Sequence, residues 1–504
     1  LLGKLLTAAV MAVALSALAV ASPAARAQAP LPEPGSATPL GSDVQHLHYK
    51  YGPIHVSPGQ NLILLGPVTI EKPAYDGYVT RIKPDLVRAD GSVPPVDQIH
   101  LHHGVFLNLS RSDSTETGPE RFFATGEEKT IFKMPPGYGY FSRGSDVWAV
   151  NHMVHNQTPV ADDVFITYDV DFVPADSPTG RRMKAVRPVW MDVQNGSAYP
   201  VFDVQRGAGG AKGRWTYPDD AHPSPYKGRA LNTWTVDRPG TIVAAAGHVH
   251  PGGLWTDLKL TRPGRKRPRH LFRSKARYFD PGGPISWDMA MTAAGRGWKV
   301  GLHTGDKLSI SATYETRRAS WYESMGIMVL YVADGDHGAN PFKQRVYTTG
   351  AVTHGHLPEN DNHGGQDQGA PDPSKLPDGS TIDNRVGIAG FEYLPGTIGG
   401  AGFMGNPPWV PHGQSLRFGN LDASAQIFHT ITACAAPCNG STGISYPLAD
   451  GPVRFDSGEL GYGPTGFTAA SNQAEWETPK TLPPGTYTFF CRIHPYMRGS
   501  FRVK

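Results

Sequence analysis

Apolar and polar positions alternate in short runs along most of the chain. From Leu47 to about Val173 the runs NLILLGPVTI, HHGVFLNLS, VWAVNHMVHN and DVFITYDVDFV are rich in β-branched and aromatic residues and are split by turn residues, a pattern that predicts short strands. A second series, LNTWTVDRPGTIVAAAGHVH, WTDLKLT, DKLSISATYET and MGIMVLYVA, runs from about Val186 to Ala333. The stretch PADSPTGRR (174–182) separates the two. Residues 336–384 are polar, rich in Gly, Pro, Asp and His, and nearly without periodicity, which predicts a linker. Strands resume with VGIAGFEYLPG and close with YTFFC and SFRV. No long amphipathic helical pattern stands out. The expected fold class is therefore all-β, with domains over 45–175, 183–335 and 385–504.

Composition fits this division. A chain of 504 residues is long enough for about three domains of ~150 residues. Abundant Gly (59) and Pro (46) with only 18% charged residues suit many turns between short strands. A net charge of +3 gives no reason to expect a polyanionic partner, and Arg265-Lys266-Arg267-Pro268-Arg269 reads as a solvated turn, so no nucleic-acid partner is expected.

Residues 1–27 read as a secretory signal: Lys4, an apolar stretch from Leu5 to Val20, and Ala25-Arg26-Ala27 before Gln28. Residues 28–44 read as a flexible leader. No other segment is long and apolar enough to span a membrane, so the expectation is a secreted or periplasmic protein without a stable membrane span after cleavage. In such a compartment Cys434 and Cys438 suit a small loop disulfide; two further soft metal ligands are the alternative.

The densest chemistry lies in TYTFFCRIHPYMRGSFRV. Cys491, His494 and Met497 follow one another at intervals of three, and His429 in QIFHTIT supplies a second imidazole from an earlier strand. Two His, one Cys and a weak axial Met are the donor set of a blue, electron-transfer (type 1) copper site. The C-terminal part resembles a small plastocyanin-like cupredoxin, with a Cys-x₂-His-x₂-Met loop most like that of amicyanin. That resemblance implies a Greek-key β-sandwich.

Upstream lie two further histidine groups. The first block holds His100, His102 and His103 in HLHH, with His152 and His155 in VNHMVHN. Neighbouring residues on a strand point to opposite faces, so His102 and His103 meet one ion only where the backbone bends. The second block holds His248 and His250 in HVH, whose spacing puts both rings on one face, and Met325 in WYESMGIMVLYV. This order of motifs resembles the copper type II, ascorbate-dependent monooxygenases, among them the peptidylglycine α-hydroxylating and dopamine β-monooxygenases. The resemblance covers about residues 45–335 and extends to GDKLSISATYET (305–316).

It implies two consecutive jelly-roll-like β-sandwiches. His102, His103 and His155 would hold an electron-transferring copper. His248, His250 and Met325 would hold the catalytic, dioxygen-handling one. With the type 1 site this makes about three coppers, two of them type 2-like, with ascorbate as reductant. The chain departs from the family in having no Cys in these blocks and in His102-His103-Gly104 where the family has HHM. Ala246, Ile327 and Val329 stand where peptide-amidating members hold a substrate carboxylate. A peptidylglycine substrate is therefore not expected.

The resemblance implies hydroxylation of a C–H bond of a small-molecule substrate by dioxygen. The cupredoxin would act as an on-board relay, fed by an external electron donor, and a flexible linker would let it dock. A non-catalytic copper carrier or storage protein is the alternative. A multicopper oxidase or copper nitrite reductase is disfavoured, because laccase-type enzymes flank the blue-copper Cys with His and here Phe490 and Arg492 flank Cys491. His100 and His152 are expected beside the ligands or at the surface. His354, His356 and His363 are expected in a solvated loop, with an extra metal site as the alternative. His55, His222 and His270 carry no motif.

Overall fold

Strands carry the regular structure, and among the described residues there is no α-helix, only short 3-10 turns. The computed structural model describes residues 43–60, 66–96, 98–194, 200–228, 230–279, 287–335, 337–354, 371–398, 405–425, 427–434, 454–461, 473–494 and 496–504. The predicted signal, nearly all of the leader, and His356, His363 and Cys438 lie outside them. No helix among the described residues is long and apolar enough to cross a membrane.

The first block is a sandwich. One layer holds the strands Gln45–Val56, Asp162–Pro174, Gly77–Arg88 and Tyr138–Ser142; the other holds Val68–Ile70, Trp148–Asn156, Ile99–Ser112 and Pro119–Gly126. Alternation, reset by bulges after Val79 and after Leu101, sends Val79, Ile82, Ile166 and Val170 of the first layer inward against Leu101, Phe106, Trp148 and Val150 of the second, and all eight are essentially buried. Each such side chain contributes about 1.5–3 kcal/mol of transfer free energy.

The strand Lys184–Asp192 joins this block to the second. It pairs in parallel with Tyr138–Ser142 and antiparallel with Ile327–Asp334, so one sheet runs through both blocks. Ile327–Asp334 in turn pairs with Gly240–His248, the strand that delivers HVH. Residues 351–352 of the expected linker add a short strand to Met289–Ala294, and the indole of Trp298 donates to the Val346 carbonyl at 2.9 Å.

The C-terminal block is a pair of four-stranded sheets. One holds Glu392–Leu394, Arg385–Ala389, Arg417–Asn420 and Glu475–Glu477; the other holds Trp409–Val410, Arg498–Val503, Gly485–Phe490 and Thr432–Cys434. Phe489 of the second sheet packs edge-on against Tyr393 and Phe418 of the first, at ring-centroid distances of 4.7 and 5.3 Å. Edge-to-face packing of this kind adds to the burial term. The all-β sandwich expectation thus holds across the described chain.

Candidate metal centres

The C-terminal ligand loop leaves the strand Gly485–Phe490 at Cys491 and returns at Arg498–Val503. Backbone bonds pin it: Cys491 N donates to Met497 O at 3.0 Å and Met497 N to His494 O at 2.8 Å. Cys491 Sγ stands 3.9 Å from His429 Nδ1 and 3.8 Å from His494 Nδ1, and the two Nδ1 atoms are 3.3 Å apart. Donors bonded to one ion at about 2.0–2.3 Å stand about 3.5–3.8 Å apart in a trigonal arrangement, so the three atoms are spaced to share a metal. All three residues are buried, and Met497 is buried with them.

The orientation of each donor has a cause. Asp422 Oδ2 holds His429 Nε2 at 3.1 Å, which turns Nδ1 toward the thiol. The backbone N–H groups of Thr430 and His494 point at Sγ from 3.3 and 3.4 Å. Burial alone would raise the Cys491 thiol, but the facing rings of His429 and His494 outweigh it and hold the pKa well below the usual thiol range. Cys491 is the free cysteine among the described residues and Cys434 is disulfide-bonded; its expected partner, Cys438, lies outside them.

The upstream histidines form one buried cluster that draws on both blocks. In the pairing of Ile99–Ser112 with Trp148–Asn156, His100 sits opposite His155 and Leu101 opposite Val154. The register then slips, so that His103 faces Met153 and His102 is the extra residue. A bulge re-aims side chains, and here it brings His102 and His103, which simple alternation would separate, to ring centroids 4.3 Å apart. His102 stacks on His155 at 4.1 Å and lies 4.4 Å from His250 of the second block. His103 Nε2 and His250 Nε2 are 2.9 Å apart.

Hydrogen bonds set these rings too. His100 Nδ1 donates to Val96 O at 2.7 Å and His250 Nδ1 to Glu323 O at 2.6 Å. A carbonyl only accepts, so both rings carry the proton on Nδ1 and offer a lone pair at Nε2. Glu128 Oε2 lies 3.1 Å from His248 Nδ1, and Glu127 Oε2 lies 3.5 Å from His102 Nδ1. Gly126 permits this approach: a Cβ there would meet Glu128 Oε2 at 2.7 Å, His102 O at 2.8 Å and His248 Cε1 at 3.0 Å.

Burial pushes His100 down to about 3, and burial with the neighbouring rings pushes His102, His103, His155 and His250 well below the usual imidazole range. Neutral imidazoles are what a metal requires. His248 is the exception: burial opposes its charge, but Glu128 outweighs burial and raises it.

Among the described residues, three groups have donor atoms within 4.8 Å of one another: His100 with His102 and His155; His102 with His103 and His250; and His429 with Cys491 and His494. The first two regroup the donors expected from sequence. His100, expected beside the ligands, is in a triad, and its signal was the cross-strand partnership of HLHH with VNHMVH. His155 joins the cluster, while His152 packs 5.7 Å from the Tyr51 ring. His248 borders it, 5.3 Å from His103 and 5.0 Å from His250 between ring centroids. Met325 is buried in the apolar cluster with Ile327 and Val329. Tyr314, from the GDKLSISATYET segment, donates its hydroxyl to Met325 O at 2.6 Å and accepts from His250 N at 3.1 Å, tying the two backbones together. His354 contacts the Glu128 carbonyl through its ring.

The three blocks meet over this cluster. A cavity is lined by His102, His155 and His250 together with Arg492 and Glu459 of the C-terminal block. Arg492, next to Cys491 in the chain, is 7% exposed; it donates to Ser320 O and its guanidinium lies 5.8 Å from the Trp321 ring centroid. Gly59 of the first block, at φ +61°, abuts Phe391 and His494, where a Cβ would clash with the Phe391 ring. A second hollow brings His103, His248 and Glu128 together with Ala246, Ile327 and Val329.

No family model matches the chain, and no curated protein matches it. Among solved structures it is similar to a novel purple cupredoxin from Nitrosopumilus maritimus, at 20% identity over 24% of this chain and 98% of that one, with a TM-score of 0.16. It is also similar to a Cu-containing nitrite reductase (NirK) from Thermus scotoductus SA-01, at 14% identity over 52% of this chain and 55% of that one, with a TM-score of 0.15. The match thus spans about half of the reductase. Likenesses this weak identify neither a family nor an activity.

Proposed function

We propose that the chain is an exported copper-dependent monooxygenase that hydroxylates a C–H bond of a small molecule with dioxygen, and that its C-terminal domain is a cupredoxin that delivers electrons. His429, Cys491 and His494, with Met497 as the axial donor, would hold type 1 copper; the upstream histidines would hold the rest, with Met325 as the thioether donor of the monooxygenase resemblance. The observation that carries this reading is the shared cavity, which Arg492 of the Cys491 loop and three imidazoles of the cluster line together. Copper bound at these donors would cycle between two oxidation states and so supply the one-electron steps that dioxygen chemistry needs.

The chain's own residues prepare the site. Asp422, Glu128 and the Glu323 carbonyl fix the rings they touch, which avoids reorganisation on metal binding. Burial of the cluster excludes bulk water. Burial also raises the Glu127 carboxyl, whose Oε2 lies 3.5 Å from His102 Nδ1. The apolar positions Ala246, Ile327 and Val329 favour an uncharged substrate over a carboxylate. Ascorbate or another external donor would supply electrons.

Copper-loaded protein given a reductant and a panel of small uncharged substrates should consume dioxygen in step with product, with one oxygen atom from labelled dioxygen in each product molecule. Absence of dioxygen consumption across the panel would favour a second reading, a copper carrier or store, which the contiguity of the histidines also suits.

A further inference from the structure

The expectation from sequence is two upstream coppers held apart, one by each block. The geometry points to a different arrangement: we infer that His100, His102, His103, His155, His248 and His250 form one dinuclear centre. In it two metal ions lie within a few ångströms of each other, and His102 stands between them. The inference concerns nuclearity and holds whether or not the chain is a hydroxylase.

Four observations support it. The two metal-capable triads upstream share His102, so they cannot be distant sites. The ring of His102 lies 4.1 Å from that of His155 and 4.4 Å from that of His250, so the first block's donors continue into the second block's without a break. His103 Nε2 and His250 Nε2, from different blocks, are 2.9 Å apart. Two nitrogens bonded at about 2.0–2.1 Å to one ion with an angle near 90° have that spacing, so the second position takes donors from both blocks.

The last observation is the count of free lone pairs. His100 and His250 are locked by carbonyls with Nε2 as acceptor, and the Nε2 atoms of His100, His155 and His248 are buried without a hydrogen-bond partner. Buried acceptors left unpaired are costly, and an ion that takes their lone pairs removes the cost. The donors divide around His102: His100 and His155 serve one ion, His103 and His250 the other, and His248 lies beside the second pair. Nothing in this arrangement requires Met325. Imidazole donors suit copper, and copper is the metal to test.

The test is a copper count beside a spin count on the copper-loaded, oxidised full chain. Copper analysis gives ions per chain, double integration of the electron-spin resonance spectrum gives unpaired spins, and the blue absorption reports the C-terminal site independently. The expected result is three coppers per chain with clearly fewer than three independent spins: one type 1 signal, and the other two coppers coupled, seen as lost intensity or a half-field transition. His100→Ala should lose one copper, restore an ordinary uncoupled signal for the ion that remains, and keep the blue band, which shows that the chain has folded. Three full, mutually independent spins would overturn the inference, as would saturation at two coppers per chain. Loss of the blue band in His100→Ala would move the comparison to His155→Ala, where the same two outcomes decide.

Discussion

The two candidate metal-ligating regions are built in opposite ways. In the C-terminal site three donors, Cys491, His494 and Met497, fall within one loop held by its own backbone bonds, and only His429 comes from elsewhere. The upstream cluster takes its five grouped imidazoles, with His248 beside them, from three separate stretches of chain in two blocks, and it exists only when two sheets, a bulge and an interblock strand are all in place. A local site tolerates change elsewhere, whereas an assembled one depends on long-range packing. The difference suits a division of labour, with electron storage in the rigid loop and chemistry where blocks converge on a cavity.

The widest separation between them should come from Cys491→Ser. The blue band should vanish completely and copper should fall by one ion per chain, while the histidine cluster keeps its metal. Loss of all copper in that variant would mean that the two regions are one folding unit.

Next in size is Asp113→Asn, which loosens the assembled region alone. Asp113 takes hydrogen bonds from the Arg121 guanidinium at 2.8 and 3.0 Å and from the backbone N–H groups of Thr115 and Arg121, closing the hairpin that leads to Gly126 and Glu128. Burial would raise its carboxyl, but Arg121 outweighs burial and lowers it. A lowered carboxylate gives stability that is present above its unfolded value of about 3.9 and is lost as pH falls through the folded value. The variant should cost about 1.5 kcal/mol at neutral pH, a part-buried charge-assisted hydrogen bond being weakened. It should also weaken the acid dependence of unfolding below about pH 4. Chemical denaturation across pH, with the blue band and tryptophan emission as separate probes, would measure both.

Asp422→Asn sharpens the comparison from the other side. Losing the carboxylate on His429 Nε2 should weaken copper at the C-terminal site by about tenfold or more and leave the upstream ions unaffected, as read by competitive chelation. Arg492→Ala should have the smallest effect. It removes the contacts with Ser320 and Trp321 and should slow electron passage between the regions by about tenfold, or about 1.4 kcal/mol, with the blue spectrum unchanged.

How much of each region could be read from the chain follows from the same contrast. The C-terminal donors were legible because the spacing of Cys491, His494 and Met497 carries the chemistry directly. Strand alternation also made the all-β sandwiches legible. The upstream histidines were legible as residues but not as a grouping. The bulge at His102 is set by cross-strand register, which no local pattern encodes. That bulge, with the facing of His100 and His155, is what draws in a residue expected to lie outside. The carboxylates and carbonyls that orient the rings, from Asp422, Glu127, Glu128 and Glu323, were not legible either, since each acts across a sheet or loop. Nor was the seating of the C-terminal block, which depends on Gly59, Ser320 and Trp321 meeting Arg492 and Phe391 across the fold.

The claim that joins the two regions is that electrons leave the Cys491 site for dioxygen through the histidine cluster. The direct measurement is rapid mixing of fully reduced, copper-loaded protein with dioxygen while the return of the blue colour is followed, in the native chain and in His103→Ala. The account predicts prompt recolouring in the native chain and recolouring at least about tenfold slower in the variant, whose C-terminal site is intact. Equal rates in the two would contradict it.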